Sequence, residues 1–465
     1  MRNKYRIAKR VGLLVVLLGN VAAVAAQKPN IIMIFTDDHG YADLGCQGAV
    51  DDVRTPNIDR MAERGVRFTN GYVAAPMCGP SRAGLMTGRY PQRMAVETNS
   101  DLPFELNTVP LAERLRQAGY RTGMTGKLHL PLKGEKGGED PRKWGFEEYA
   151  MKAGDFVKAP HRRLCTHDAN GKQLPSQRWM EMDGYRLDVS SDFAVQFIER
   201  NHDEPFFLYV AYFGPHTPLE APEKYLSRFP DAQPPARRYA LAMISAIDDG
   251  VGRIFQTLEK YKIDDNTLIF FAGDNGAPLR GKRSLPIDQL KYNEWDGSLN
   301  VPMLAEKGMA GEGGIRVPWL MCWPGTIPAG QVIDEPVITL DVAATAAALN
   351  GLDSGDLDGV NLIPLVTGRE KNLDRALCWM LGGQTAVREG KWKLLQSKEY
   401  GPYLFDMDVA EPERVNLIAQ HPEIADGLQQ ELEKWRADIG RRGWIRDAQL
   451  DLEETLYKTH YRGME

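Results

Sequence analysis

The groups best suited to chemistry in this sequence are two acidic clusters and one cysteine. Asp37 and Asp38 directly follow the apolar run Ile31–Phe35. Adjacent carboxylates repel one another unless a cation sits between them; a helix cap with a solvated neighbour is the other reading of such a doublet. Asp274-Asn275-Gly276 repeats the pattern behind Leu268–Phe271. Carboxylate and amide oxygens suit a hard cation such as calcium or magnesium, and two such clusters together favour a metal over two caps. Cys78 opens the run Cys78-Gly79-Pro80-Ser81-Arg82, ahead of a short helical pattern that ends at Thr87-Gly88-Arg89. A cysteine at a helix start faces amide donors and a favourable dipole, where an anion would also bind. A structural thiol or half of a disulfide is the alternative. Two histidines, His129 and His216, also stand just behind apolar runs, and each taken alone reads as an ordinary hydrogen-bonded histidine.

Alternating apolar runs and amphipathic patterns predict the elements that carry these groups. Ile31–Phe35, Arg121–Met124, Phe206–Tyr212 and Leu268–Phe271 read as strands. Pro56 to Glu63, Pro110 to Ala118, Asp188 to Arg200 and Arg237 to Tyr261 read as helices between them. The pattern predicts an α/β domain with a central, mostly parallel sheet. In such sheets ligands collect at the carboxyl ends of the strands. Each of the four strands is followed there by polar groups: Asp37-Asp38-His39, Lys127 with His129, His216, and Asp274-Asn275. Past about Gly351 the pattern changes. Ala386 to Gln396 and Tyr403 to Asp408 read as short antiparallel strands and Glu423 to Ile439 as a helix, which predicts a smaller C-terminal α+β domain.

Composition narrows the class of function. The chain has 465 residues, enough for one large domain with a smaller one attached. A basic start (Arg2, Lys4, Arg6, Lys9, Arg10), an apolar Val11 to Leu18 and small residues to Ala26 predict an export signal cleaved near Ala25 or Ala26. Its apolar run is well under the roughly 20 residues of a spanning helix. Removing its five basic residues takes the formal net charge from −6 to −11. Such an acidic protein is a poor general binder of nucleic acid or anionic membrane. An anionic substrate would need the basic groups gathered in one pocket. Five cysteines (Cys46, Cys78, Cys165, Cys322, Cys378) leave four for at most two disulfides if Cys78 does chemistry, and none has zinc-site spacing.

Cys78-x-Pro80-Ser81-Arg82 followed by Thr87-Gly88-Arg89 resembles the signature of the formylglycine-dependent type I sulfatases, within the alkaline-phosphatase-like superfamily. The likeness runs along nearly the whole mature chain: Asn30 to Gly40, Thr55-Pro56-Asn57-Ile58-Asp59, Gly126-Lys127-Leu128-His129, Pro215-His216-Thr217-Pro218, Gly273-Asp274-Asn275-Gly276, Glu312-Gly313-Gly314-Ile315-Arg316-Val317-Pro318, and the C-terminal Ala386-Val387-Arg388 to Asn416-Leu417. The resemblance implies that a maturation enzyme oxidises Cys78 to formylglycine, whose hydrate carries two hydroxyls on one carbon. One attacks sulfur and displaces the alcohol, and the other loses its proton to expel sulfate, a step that serine lacks. It also implies one calcium held by Asp37, Asp38, Asp274, Asn275 and the modified Cys78. Arg82 would hold the formylglycine hydroxyl, Lys127, His216 and Lys307 would surround the sulfate and leaving oxygen, and His129 would assist proton transfer.

The expected organisation is therefore a signal over 1–26, a catalytic domain over 27–365 and a C-terminal subdomain over 366–465, in a periplasmic or secreted enzyme free of the membrane after cleavage. The expected substrate is a sulfated carbohydrate, from a glycosaminoglycan or an algal polysaccharide. A phosphate or phosphonate monoester hydrolase with the same nucleophile is the related alternative. A polyanion binder with unmodified Cys78 is the rival from another class. Arg162-Arg163 and Arg280-x-Lys282-Arg283 read as solvated loop charges, and Trp144 and Trp295 as packing residues.

Overall fold

The computed structural model describes residues 28–134, 139–151, 164–166, 184–279, 297–440, 457–461 and 463–464. The expected export signal, Arg162-Arg163, Arg280, Lys282, Arg283 and Trp295 lie outside these residues, as does the side chain of Cys165. Among the described residues, no helix is long and apolar enough to cross a membrane.

In chain order the strands are β1 (Asn30–Asp37), β2 (Val66–Phe68), β3 (Gly71–Tyr72), β4 (Arg121–Gly126), β5 (Glu148–Met151), β6 (Leu164–Thr166), β7 (Phe206–Pro215), β8 (Thr267–Gly273), β9 (Trp319–Cys322), β10 (Gln331–Ile333), β11 (Val337–Ile338), β12 (Ala376–Leu381), β13 (Gln384–Glu389), β14 (Trp392–Gln396) and β15 (Tyr403–Asp406). Nine of them form one mixed sheet in the order β10-β2-β9-β8-β1-β7-β4-β5-β6. Its centre, β8-β1-β7-β4-β5, is parallel throughout. β9 runs antiparallel to both β8 and β2, and β6 antiparallel to β5.

β1 is apolar along nearly its whole length because helices cover both faces of the sheet, as central parallel strands require. Alternate residues point to opposite faces. Ile31, Met33 and Phe35 enter one core with Leu85, Leu111 and Leu115 from the helices Cys78–Thr87 and Leu111–Gln117. Ile32 and Ile34 enter a second core with Phe193, Phe197, Ile244 and Ile247 from the helices Arg186–Asn201 and Pro235–Tyr261.

All four expected strands are present at the centre of the sheet, and the expected helices agree with the observed ones to within two residues, except that the short one ahead of Arg89 already begins at Cys78. The short strands β2, β5, β6, β9 and β10 go beyond the sequence expectation; runs of three or four residues are too brief to show a period. The C-terminal run Ala386 to Gln396 is two strands rather than one, because Gly390 (φ +53°) turns the chain between β13 and β14. β12 completes this four-stranded antiparallel sheet. One face of it, with Trp379, Ala386, Leu395 and Phe405, joins the first core. The other packs Val387, Leu394 and Leu404 against Leu428 and Leu432 of the helix Pro422–Asp438. Among the described residues no disulfide forms. Cys46, Cys322 and Cys378 are free thiols, and burial pushes those of Cys46 and Cys322 up to about 12, which leaves them unreactive.

A buried charge cluster ties the C-terminal sheet to the turn Glu312–Ile315 and to β3. Lys393 on β14 is fully buried and its Nζ lies 2.8 Å from both Glu312 Oε1 and Glu413 Oε1. Tyr72 Oη donates to Glu312 Oε2 (2.9 Å), and Tyr461 Oη donates to Glu413 Oε2 (2.8 Å). Burial opposes the charge of Glu312, but Lys393, Arg316 and Arg388 outweigh it and lower its carboxyl to about 2. Removing the ammonium leaves buried Glu413 without its cation and Glu312 with Arg316 as its ion pair. Lys393→Ala should therefore cost about 3–5 kcal/mol, read as a lowered denaturation midpoint. A loss below about 1 kcal/mol would show that the carboxylates find other partners.

Candidate active site

Four neighbouring strands deliver the polar groups to one edge of the sheet. Asp37 ends β1, and Asp274 follows the end of β8. His216 follows β7, and Lys127 follows β4. Parallel register sets them level: Thr36 is paired with Gly273, Asp37 with Pro215 and Gly126 with Ala211. Opposite them stands the helix Cys78–Thr87, with Cys78 as its first residue and Arg82 one turn further on. Gly126 has φ +96°, and a Cβ there would meet Ala211 O at 1.8 Å, so only glycine lets β4 end where Lys127 turns inward.

Asp38 has a left-handed backbone (φ +59°), a conformation that short polar side chains tolerate best. Its amide donates to Asp274 Oδ1 (3.0 Å) and Asn275 Nδ2 donates to Asp38 Oδ1 (2.6 Å), which knits the two acidic clusters together. Arg82 is fully buried and donates through Nε and Nη2 to Asp274 Oδ2 (3.0 and 2.8 Å). Its Nη1 donates to Lys127 O (2.7 Å) and Tyr209 Oη (3.2 Å). Lys127 Nζ donates to both Asp37 oxygens (2.8 and 2.6 Å), and Lys307 Nζ to both Asp38 oxygens (2.7 Å each). His216 Nε2 lies 3.6 Å from Asp38 Oδ2.

Three buried carboxylates and three permanent cations thus meet, with Lys127, Lys307 and His216 partly open to solvent. Burial opposes the charge of Asp37, but Lys127, His216, Arg82 and Lys307 hold its carboxyl well below the usual range. Asp274 goes the other way, raised by burial and by the neighbouring charge of Asp37. A carboxylate pushed upward by another carboxylate is where added positive charge is most stabilising. Burial likewise opposes Lys127 and Lys307, yet the facing carboxylates keep both above the ordinary lysine value. Burial, with Lys127 and Arg82 nearby, lowers His129 to about 4, so its imidazole is neutral at physiological pH.

The donor set fits a hard cation. Asp37, Asp38 and His216 can bring one ligand atom each within 4.8 Å of one another, as can Asp37, Cys78 and Asp274. Asn275 Oδ1 is buried and has no hydrogen-bond partner among the described residues, while its Nδ2 is committed to Asp38 and Gly276 O. A buried carbonyl oxygen left over among carboxylates needs a cation or a donor.

Nine of the ten expected residues — Asp37, Asp38, Cys78, Arg82, Lys127, His216, Asp274, Asn275 and Lys307 — converge here. The tenth, His129, sits at the margin (φ +57°), its amide donating to Glu139 Oε2 (3.0 Å) and its Nδ1 buried without a partner among the described residues. Lys307 reaches the doublet through Asp38, while Lys282 lies outside the described residues. Trp144 is wholly buried and donates from Nε1 to Leu130 O (3.2 Å), a packing role. Two further contacts escape sequence reasoning. Tyr209 is a polar tip hidden in the apolar run of β7. Asn99 touches Cys78 from the short 3-10 turn Asn99–Asp101: its Nδ2 lies 3.3 Å from Sγ, and its Oδ1 accepts from Gly79 N (3.0 Å).

Comparison with known proteins agrees with this geometry. The sulfatase family model matches residues 29–352. The chain is 35% identical over 397 residues to N-acetylgalactosamine-6-sulfatase of Homo sapiens, covering 78% of this chain and 70% of that protein. It is 31% identical over 417 residues to arylsulfatase A of Homo sapiens, covering 81% and 76%. The crystal structure of Ps i-CgsB in complex with k-i-k-neocarrahexaose superposes with a TM-score of 0.77 at 33% identity, over 94% of this chain and 98% of that one. With the alkaline-phosphatase-like sheet and a signature motif at the head of the facing helix, these matches lead to one assignment: the chain belongs to the sulfatase family and is a sulfuric ester hydrolase.

Proposed function

We propose that this enzyme removes sulfate from a sulfated carbohydrate, with Cys78 converted to formylglycine and one calcium held by Asp37, Asp38, Asp274, Asn275 and residue 78. The observation that carries the reading is the meeting of those oxygen donors with Arg82, Lys127 and Lys307 beside Cys78 at the head of a helix. The similarity to a sulfatase named for N-acetylgalactosamine-6-sulfate, and to one crystallised with a neocarrahexaose, supports a carbohydrate substrate. Export to the periplasm or medium, maturation by a formylglycine-generating enzyme, and a catalytic region over 27–365 followed by a C-terminal subdomain belong to the same proposal.

When present, the formylglycine hydrate supplies the attacking hydroxyl, and the calcium lowers that hydroxyl's pKa and offsets sulfate charge. The chain's own residues do the rest. Lys127 and Lys307, paired with Asp37 and Asp38 in this structure, are the ammonium groups within reach of sulfate oxygens, and a shielded pocket strengthens them. Arg82, fully buried and fixed by Asp274, holds the hydroxyl at residue 78 and does not follow the substrate. His216 stands on the Asp38 side of the site, beside the sulfate and the leaving oxygen. His129, neutral above about pH 4, is able to take the proton of the second hydroxyl when sulfate is expelled.

Active protein should carry a residue-78 peptide about 18 Da lighter than its thiol form. Mass spectrometry of fully active enzyme that finds only the thiol would sink the formylglycine assignment. Chelation should abolish turnover and calcium restore it. At a hundred times its dissociation constant calcium should also raise stability by about 2.7 kcal/mol in the wild type but not in Asp274→Ala. Full activity in verified metal-free enzyme would exclude this role. Lys307→Ala should lower kcat on the order of 10²–10³, the usual cost of one lost transition-state donor, whereas Lys282→Ala should raise KM or do nothing. The reverse pattern would place Lys282 in the site instead.

A further inference from the structure

The contact of Asn99 with Cys78 depends on a neighbouring glycine, and that dependence gives Asn99 a function. Asn99 lies on a stiff turn. Asp101 Oδ2 accepts from the amides of Glu97 (3.0 Å) and Thr98 (2.8 Å), and Thr98 Oγ1 accepts from Ser100 N (3.1 Å). The Gly79 amide, at the second position of the Cys78 helix, donates to Asn99 Oδ1 at 3.0 Å. That bond fixes which way round the carboxamide sits: Nδ2 lies 3.3 Å from the Sγ of Cys78 and Oδ1 3.7 Å from it, so Nδ2 is the nearer of the two and the donor. A Cβ on residue 79 would meet Asn99 Oδ1 and Leu102 Cδ1 at 2.8 Å each, closer than side chains pack. Gly79 is therefore the residue that lets Asn99 reach the nucleophile.

We propose that Asn99 is a further catalytic residue: its Nδ2–H donates to the oxygen that replaces Sγ on residue 78. This assignment rests on the formylglycine reading above. A donor at that point orients one hydroxyl of the hydrate and stabilises the negative charge it gains as its proton leaves. Arg82 is committed to Asp274, Lys127 O and Tyr209 within the fold, whereas Asn99 is held by Gly79 N. The same donor favours the hydrate over the bare aldehyde, a property measurable without any substrate.

The test uses full-length matured protein with the aldehyde fraction counted by peptide mass spectrometry. Asn99→Ala and the shape-keeping Asn99→Leu should retain the wild-type melting temperature within a few degrees. Their kcat per aldehyde on a sulfated carbohydrate should fall about tenfold to a hundredfold, with KM shifted less than about threefold. Without substrate, residue 78 in both variants should react with a hydrazide probe about threefold to tenfold faster, one hydrogen bond's worth of lost hydrate. Gly79→Ala should reproduce both effects. The double variant Gly79→Ala/Asn99→Ala should be no worse than either single change, because both remove the same contact. The proposal is overturned if Asn99→Leu keeps kcat per aldehyde and hydrazide reactivity within about twofold of wild type, or if the two single penalties multiply. A wild-type protein with only thiol at residue 78 would overturn the formylglycine reading, and this proposal with it, before any variant is compared.

Discussion

Everything in this molecule is arranged around the cost of holding three carboxylates, Asp37, Asp38 and Asp274, almost out of contact with water. Their charge has to be met from within the fold. Arg82, Lys127 and Lys307 come from three separate regions of the sequence, and each meets one of the acids. The arrangement balances formal charge but not local charge: Asp274 still feels Asp37 more strongly than is comfortable for two ionised groups. A site in that condition is primed for ions of both signs. A divalent cation would relieve the carboxylates, and the singly charged sulfate group of the ester would then meet the lysines so released. On the proposed reading, electrostatic frustration of this kind would link binding of the metal to binding of the sulfate ester through shared partners rather than through movement of the fold.

Such a cluster demands rigid support, and the fold supplies it from both sides. Four parallel strands carry the acids, Lys127 and His216 to one rim, where apolar burial on both faces leaves no freedom to slip register. Behind Lys307, the turn Glu312–Ile315 is tied by Glu312 to Lys393 and Glu413, so the C-terminal sheet stiffens the loop that brings the second lysine in. The small sheet is therefore part of the scaffold of the site, although none of its strands supplies one of the converging groups.

Much of this is legible in the amino-acid order, for a physical reason. Long buried strands show themselves as apolar runs. A polar doublet directly behind such a run places charge at the rim of a buried sheet, which is costly unless the charge is used, so Asp37, Asp38, Asp274 and Asn275 stand out. Cys78, Lys127, His216 and Lys307 gain meaning from the motif context. What stays hidden depends on geometry that has no period. β2, β9 and β10 are too short to show alternation, and β13 and β14 merge in the sequence pattern because one glycine turn separates two similar runs. Asn99 is invisible there because its significance comes from the missing side chain of Gly79, about twenty residues away in sequence. Tyr209 hides for the opposite reason, its hydroxyl carried by a strand otherwise apolar enough to read as pure core.

The left-handed backbone at Asp38 has a consequence of its own. At most positions a carboxylate can be exchanged for a longer one and the charge survives. Here conformation and charge select together, because the residues that settle readily at positive φ are glycine, asparagine and aspartate, and only one of these is an anion. Glutamate keeps the charge and loses the fit; asparagine keeps the fit and loses the charge. In mutational terms either exchange gives up one of the two requirements, so the second half of the doublet would persist even while the surrounding loops are free to drift.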